Sequence, residues 1–331
     1  MKKGLIIALC LVLAGLVLIA AISLIFRANP LEVLSSTNLN FGSCGTIGLS
    51  NEYRDWDNEY LESGKYEVAA YGITALDIEW IDGSVEVISY DGSVIAFEET
   101  PLSQEQALRY GIDSGTLYIQ YCQKDISLSR GLHKKLTVMV PNELDRLNIE
   151  ASSATIAVEN VNARLVELES SSGEIDYLGG YAELDASSSS GEITVSSTSD
   201  ANRTSIESSS GAIAVSGDMG ALSMESASGK LGMANGDGVG CNSLIASSTS
   251  GSIRLSLTST PTSMELETTS GEIEIELPSD SEFVLEYDTT SGSFDCGFAA
   301  VYERNRIEVG SGKNSYKTES TSGNISIRPI G

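Results

Sequence analysis

Through the second half of the chain, apolar residues recur at alternate positions in short runs, each at a fixed distance from a glycine. The pairs Ile175/Tyr177, Ile193/Val195, Ile213/Val215, Leu231/Met233, Ile253/Leu255, Ile273/Ile275, Phe294/Cys296 and Ile325/Ile327 stand two and four residues after Gly173, Gly191, Gly211, Gly229, Gly251, Gly271, Gly292 and Gly323. Ile156/Val158 follow Ala154 in the same way, a first copy in which alanine replaces the glycine. Residues between the apolar positions are often charged, as at Glu174, Asp176, Glu192, Glu272 and Glu274. This is the period of a strand with one buried and one wet face. A second alternating pair precedes the corner by seven and five residues, as in Leu147/Ile149, Val166/Leu168, Leu184/Ala186, Leu222/Met224, Leu244/Ala246, Met264/Leu266 and Leu285/Tyr287.

The glycines are 18 to 22 residues apart, except for a last step of 31. A period in this range marks a solenoid, whose repeats bury their apolar faces only against stacked neighbours. The predicted fold is all-β: a single-stranded β-solenoid (β-helix) of about nine coils over residues 147–331, a rod roughly 40 Å long at about 4.8 Å per coil. Variable loops such as Ser197–Arg203 and Ala234–Gly238 join one repeat to the next. The three residues before each glycine are nearly always hydroxylated, as in Ser170–Ser172 and Thr268–Ser270. In a stack they form columns at a bend, where small hydroxyls bond a neighbour or the turning backbone. A ladder that binds ice or a polymer would need regular outward threonines, and Ser, Thr, Glu and Lys alternate there irregularly.

Residues 66–146 read as a β-rich cap on the first coil. The runs Ala75–Trp80, Ser84–Ser89, Ser93–Glu98, Thr116–Tyr121 and Leu136–Val140 are strand-like, with Asp82-Gly83 and Asp91-Gly92 as turn signals. Gln104–Tyr110 reads as a helical turn or two, and Trp56–Leu61 as a short helix within a polar tether, residues 28–65. Residues 1–27 are a separate system. Lys2 and Lys3 precede 22 residues, Leu5–Phe26, that carry no charge, and Arg27 closes the run. That length spans a bilayer and exceeds the apolar core of a cleavable signal, so an uncleaved anchor is expected over a cleaved one. The lysines place the N-terminus in the cytoplasm and the rest of the chain outside, as a single-pass cell-membrane protein.

Removing those three cations from the net charge of −26 leaves −29 on the exported part. Such a surface repels nucleic acid and argues against it as a partner. Cys44, Cys122, Cys241 and Cys296 show no metal-ligand spacing. Cys296 sits at an inward strand position, whereas Cys241 falls in a variable loop where a disulfide stays open.

The run Ile78–Val87, the later Leu136–Pro141 and the reiterated Ser-Ser-Gly-x-Ile-x-Val corners resemble the bacterial "putative-adhesin" domain of unknown function, which includes LiaG-like membrane-anchored proteins of Gram-positive bacteria. The resemblance covers Tyr66 to the end. It implies a β-helical fold at the cell surface and carries no catalytic motif.

Catalytic chemistry has little to stand on. His133 is the sole histidine and lies in a polar turn; no GxSxG, HExxH or phosphate loop accompanies it. Glu174, Glu192 and Glu272 share one column, but Ala212, Lys230 and Ser252 interrupt it, leaving Glu192 and Glu272 about 19 Å apart, too far for paired carboxylates. Asn235–Gly238 faintly resembles a calcium loop without the calcium nonapeptide. No catalytic, cofactor or metal residue is therefore assigned. The leading reading is a non-enzymatic, membrane-anchored extracellular module of adhesin-like type whose partner is a protein or cell-wall polymer. The alternative, implied by the LiaG-like resemblance, is a regulator of envelope stress acting through a membrane partner. A polysaccharide lyase or hydrolase is the third.

Overall fold

The computed structural model describes Trp56 and residues 60–122, 133–141 and 143–330. Residues from Arg54 onward group into one compact unit. The expected anchor, Cys44, most of the tether and the centre of the Trp56–Leu61 segment lie outside the described residues. Among the described residues, no helix is long and apolar enough to cross a membrane.

The N-terminal strands are β1 (Lys65–Ala69), β2 (Ala75–Trp80), β3 (Gly83–Ser89), β4 (Val94–Thr100), β5 (Arg109–Asp113), β6 (Thr116–Gln120) and β7 (Lys134–Val140). The repeats supply β8 (Leu144–Ala151), β9 (Thr155–Glu159), β10 (Ala163–Ser170), β11 (Ile175–Gly179), β12 (Tyr181–Ser188), β13 (Ile193–Ser197), β14 (Arg203–Ser208), β15 (Ile213–Asp218), β16 (Ala221–Ser226) and β17 (Leu231–Met233). They continue as β18 (Val239–Gly240), β19 (Ser243–Ser248), β20 (Ile253–Ser256), β21 (Ser263–Thr268), β22 (Ile273–Leu277), β23 (Phe283–Thr289) and β24 (Phe294–Cys296). A hairpin of β25 (Ala300–Glu303) and β26 (Arg306–Val309) precedes β27 (Asn314–Ser320) and β28 (Ile325–Pro329).

Two 14-stranded sheets result. Sheet A runs β1-β4-β7-β3-β9-β11-β13-β15-β17-β20-β22-β28-β24, with β18 attached to β15; sheet B runs β25-β26-β23-β27-β21-β19-β16-β14-β12-β10-β8-β2-β6-β5. Each rung is one strand of sheet B, a corner, and one strand of sheet A. The expected register holds: Ile175 pairs with Ile193, Ile193 with Ile213, Ile253 with Ile273 and Ile273 with Ile325. Those isoleucines are buried between the sheets, and branched aliphatics suit a pleated inner face.

The expected cap does more than close an end. β2–β3 and β6–β7 are two further rungs, parallel to and continuous with the nine repeat copies. Antiparallel strands then finish the stack, with β4 and β1 on one sheet and β5 on the other. At the far end β26 pairs antiparallel with β23, and β25 antiparallel with β26. Such strands leave short edges rather than a long open one. Gln104–Tyr110 is not helical: it makes a turn and enters β5, and the Glu99 carboxylate takes the Leu108 N–H at 3.1 Å.

The corner explains the glycine period. At Gly191, Gly211, Gly229, Gly251 and Gly271 an added Cβ would run into the backbone carbonyl of the preceding rung's glycine. Close approach of two backbones, not a left-handed conformation, excludes side chains there. The hydroxyl three residues earlier completes the turn. Ser188 Oγ accepts the Gly191 N–H at 2.9 Å, Ser248 Oγ accepts that of Gly251 at 2.8 Å, and Thr268 Oγ1 accepts that of Gly271 at 2.9 Å. Several of these hydroxyls also donate to the glycine carbonyl one rung away, as Thr268 does to Gly251 at 3.3 Å. The remaining hydroxyls of the triplets before the glycines face solvent.

Candidate functional surface

The carboxylates singled out along the sequence lie on the outer face of sheet A. Glu174 and Glu192 stand immediately before adjacent strands β11 and β13, Asp176 faces Thr194, and three rungs separate Glu192 from Glu272. Arg254 occupies Glu272 and Glu274, at 3.6 and 2.6 Å. Glu192 and Glu272 are therefore not brought together. His133 is exposed on a turn and meets Asp82 at 3.0 Å. Asn235–Gly238 forms a turn closed by the Asp237 N–H on the Ala234 carbonyl, with left-handed backbone at Asn235 and Gly236. Among the described residues, no three His, Cys, Asp or Glu side chains are placed to hold a metal ion.

Cys122, Cys241 and Cys296 are free thiols. Cys241 is buried rather than looped out, and burial pushes its thiol up to about 12, with Asp218 adding to the shift. A thiol so protonated is a poor nucleophile. Cys296 faces inward as expected but stays half-buried, because β24 is the edge strand of sheet A among the described residues.

A longer acidic row lies on sheet B, four residues before each corner glycine. In-register pairing links Glu79 to Glu150, Glu150 to Glu169, Glu207 to Glu225 and Glu267 to Glu319, with Ser187 and Ser247 as the breaks. Adjacent carboxylates are thus about 4.8 Å apart along the stack. Burial pushes the Glu150 carboxyl above its ordinary value, and Glu79, Glu169 and Asp77 act in the same direction. Beside this row and the exposed hydroxyls runs a groove of about 520 Å³, lined by Glu169, Ser189, Glu207, Ser209, Glu225 and Glu267. Among the described residues cations are few on this face: Arg146 meets Glu167 at 2.5 Å, Arg203 meets Asp185 at 2.7 Å, and Lys317 meets the row's Glu319 at 2.9 Å and Glu265 at 3.4 Å. Aligning the repeats backward from the glycine exposes this row in the sequence, but the residues before the corner stand out first by their apolar pair.

At the N-terminal end a fully buried lysine organises the polar interior. Lys134 Nζ donates to Glu99 Oε2 at 2.7 Å, Gln106 O at 2.7 Å and Tyr121 O at 2.6 Å, and lies over the Trp80 and Tyr121 rings. Burial lowers its pKa and Glu99 opposes the shift. This cluster pins the chain before β5 and after β6 onto β7, and is structural.

No curated protein matches the chain. Solved structures of similar proteins include a "putative cell adhesion protein" from Clostridium sporogenes, 12% identical, covering 80% of this chain and 99% of its own, with a TM-score of 0.20. A "putative adhesin" from Bacteroides fragilis is 14% identical, covering 80% and 96%, with a TM-score of 0.34. A "putative lipid binding protein" from Parabacteroides distasonis is 16% identical, covering 81% and 96%, with a TM-score of 0.40. The Toastrack DUF4097 family model matches residues 76–230 and 214–328, the stretch that forms the stacked rungs, and the chain belongs to that family.

Proposed function

We propose that the protein is a non-enzymatic, adhesin-like surface module, held at the cell membrane by Leu5–Phe26 with its β-solenoid outside and its N-terminus in the cytoplasm. The observation that carries this reading is the acidic row beside the hydroxyl-lined groove of sheet B, a long surface with a repeat of about 4.8 Å. Repetition of one polar pattern over many rungs suits an extended or repetitive partner, a protein or a cell-wall polymer, better than a small substrate. Sheet A supports the same view, since Arg254 already engages Glu272 and Glu274. The adhesin-type relatives agree in kind.

Protease treatment of intact cells tests the topology: digestion of the domain before lysis is expected, and its survival until lysis rejects the reading. Deleting the gene tests the role. Reduced attachment to surfaces with an unchanged envelope-stress reporter is the expected result; an altered reporter with normal attachment favours the regulatory alternative.

A further inference from the structure

At its C-terminal end the chain does not stack in the order in which it is written. β23–β24 follow β21–β22 in sequence, yet in both sheets the neighbour of β21–β22 is β27–β28, and β23–β24 lie beyond it. Residues 314–329 are thus inserted between two rungs that precede them in the chain.

The inserted rung repeats the contacts made elsewhere. Met264 pairs with Tyr316 and Ile273 with Ile325 on one side; Leu285 pairs with Tyr316 and Phe294 with Ile325 on the other. Its corner obeys the same chemistry: Ser320 Oγ donates to Gly271 O at 3.4 Å, and Gly323 O accepts from Thr289 Oγ1 at 3.2 Å. The corners from Ser226 onward therefore offer an acceptor to one side and a hydroxyl to the other. Nothing in that chemistry distinguishes a chain's own last rung from the last rung of another copy.

Two further observations concern this rung. Between Leu144 and Pro329, among the described residues, the buried side-chain atoms without a hydrogen-bond partner are Thr318 Oγ1 and Ser326 Oγ, and both belong to it. Leaving the slot returns both hydroxyls to water, which lowers the cost of opening there relative to the satisfied rungs. The connection to β26 is Gly310-Ser-Gly-Lys313, with left-handed backbone at both glycines, φ 63° and 65°. It is a short hinge next to an insertable element, the arrangement from which strand exchange arises.

We propose that β27–β28 is an exchangeable rung: residues 314–329 of one copy seat between β22 and β24, and between β21 and β23, of a second copy. The contacts within the slot are the same in the closed and exchanged forms, so protein concentration and the hinge set the balance. The inference does not depend on the ligand of the acidic groove.

Glu265 and Lys317 face each other in register across β21 and β27, and both are exposed. The test uses the full chain in detergent. Glu265→Cys and Lys317→Cys variants carrying tags of different size are mixed at rising concentration and oxidised with a copper catalyst in air. The expected result is a disulfide-linked heterodimer that rises with concentration and exceeds both the unsubstituted mixture and the pair Glu265→Cys with Glu319→Cys, which is two residues out of register. The double variant Glu265→Cys/Lys317→Cys reports folding, because it should close within one chain when dilute. Internal closure of the double variant with no heterodimer above background overturns the proposal, as does an equal yield from the out-of-register pair. Failure of the double variant to close overturns it too, since the β21–β27 register on which it stands would then be wrong.

Discussion

A single methyl group placed at a central corner should unsettle the stack. Gly251 lies where β19 turns into β20, and an ideal Cβ there would come within 3.0 Å of the Gly229 carbonyl oxygen, a separation that real Cβ atoms essentially never show. The same point is 2.8 Å from Ser248 Oγ, which itself accepts the Gly251 N–H at 2.8 Å. The obstacle is backbone, so Gly251→Ala must lift one rung off the next. That movement strains the corner bonds from Thr249 N to Ser226 O, 3.3 Å, and from Ser250 N to Ala227 O, 3.0 Å. Overpacking costs about 1–3 kcal/mol and a weakened hydrogen bond about 1, while the stiffer unfolded chain returns roughly 0.5. We expect a net loss of about 1.5–3.5 kcal/mol, or a fall in Tm of roughly 3–6 °C for a unit of this size. Gly232→Ala is the control. Gly232 lies on neighbouring β17 in ordinary backbone conformation, and its added Cβ would rest 3.6 Å from Arg254 O, so the change should stay within about 0.5 kcal/mol. Thermal and urea melts of the Arg54–Gly331 fragment decide the matter. Equal losses for both variants would refute close stacking as the reason for the glycine period.

Ile253→Asp should cost several kcal/mol in the same melts, because it buries an unpaired carboxylate, whereas Ser252→Asp on the outer face should change stability by about 0.5 kcal/mol or less. Lys134→Met should destabilise by about 3–5 kcal/mol by stranding the buried Glu99 carboxylate, and adding Glu99→Leu should recover much of that loss in urea titrations. Glu150 has a folded-state pKa raised by burial and by its acidic neighbours, so the protonated form is favoured in the fold. Its ionisation therefore opposes folding as pH rises from the ordinary carboxylate value through the raised one. Glu150→Gln should match the parent in acid and melt higher at neutral pH; a parent that gains relative to this variant as pH rises contradicts the reasoning.

What the sequence determined by itself was what depends on near neighbours in the chain. Ile253 and Leu255 alternate with Ser252 and Arg254, and a strand has two faces, so the buried face was readable without coordinates. The bend at Ser248–Gly251 was readable too, since hydroxyl and glycine stand three residues apart and close one turn. The corner-to-corner period then implied a stack and, with it, the pairing of Ile253 with Ile273. The tertiary structure decided what depends on contacts between distant segments. The last rung slips in before β23–β24, and β2–β3 lie inside β6–β7, because equivalent corners accept one another whatever their order along the chain. Arg109–Asp113 became a strand only because the open edge of β6 stood beside it, and Gln104–Tyr110 lost its helical turn to the Glu99 carboxylate. The acidic row of sheet B likewise needed the stack: Glu150 and Glu169 are nineteen residues apart in the chain, and only parallel pairing sets them side by side, where Glu169 adds to the burial that raises the Glu150 pKa. Local periodicity fixes which face of a strand is buried, whereas the neighbour of each strand is chosen by packing across the whole fold.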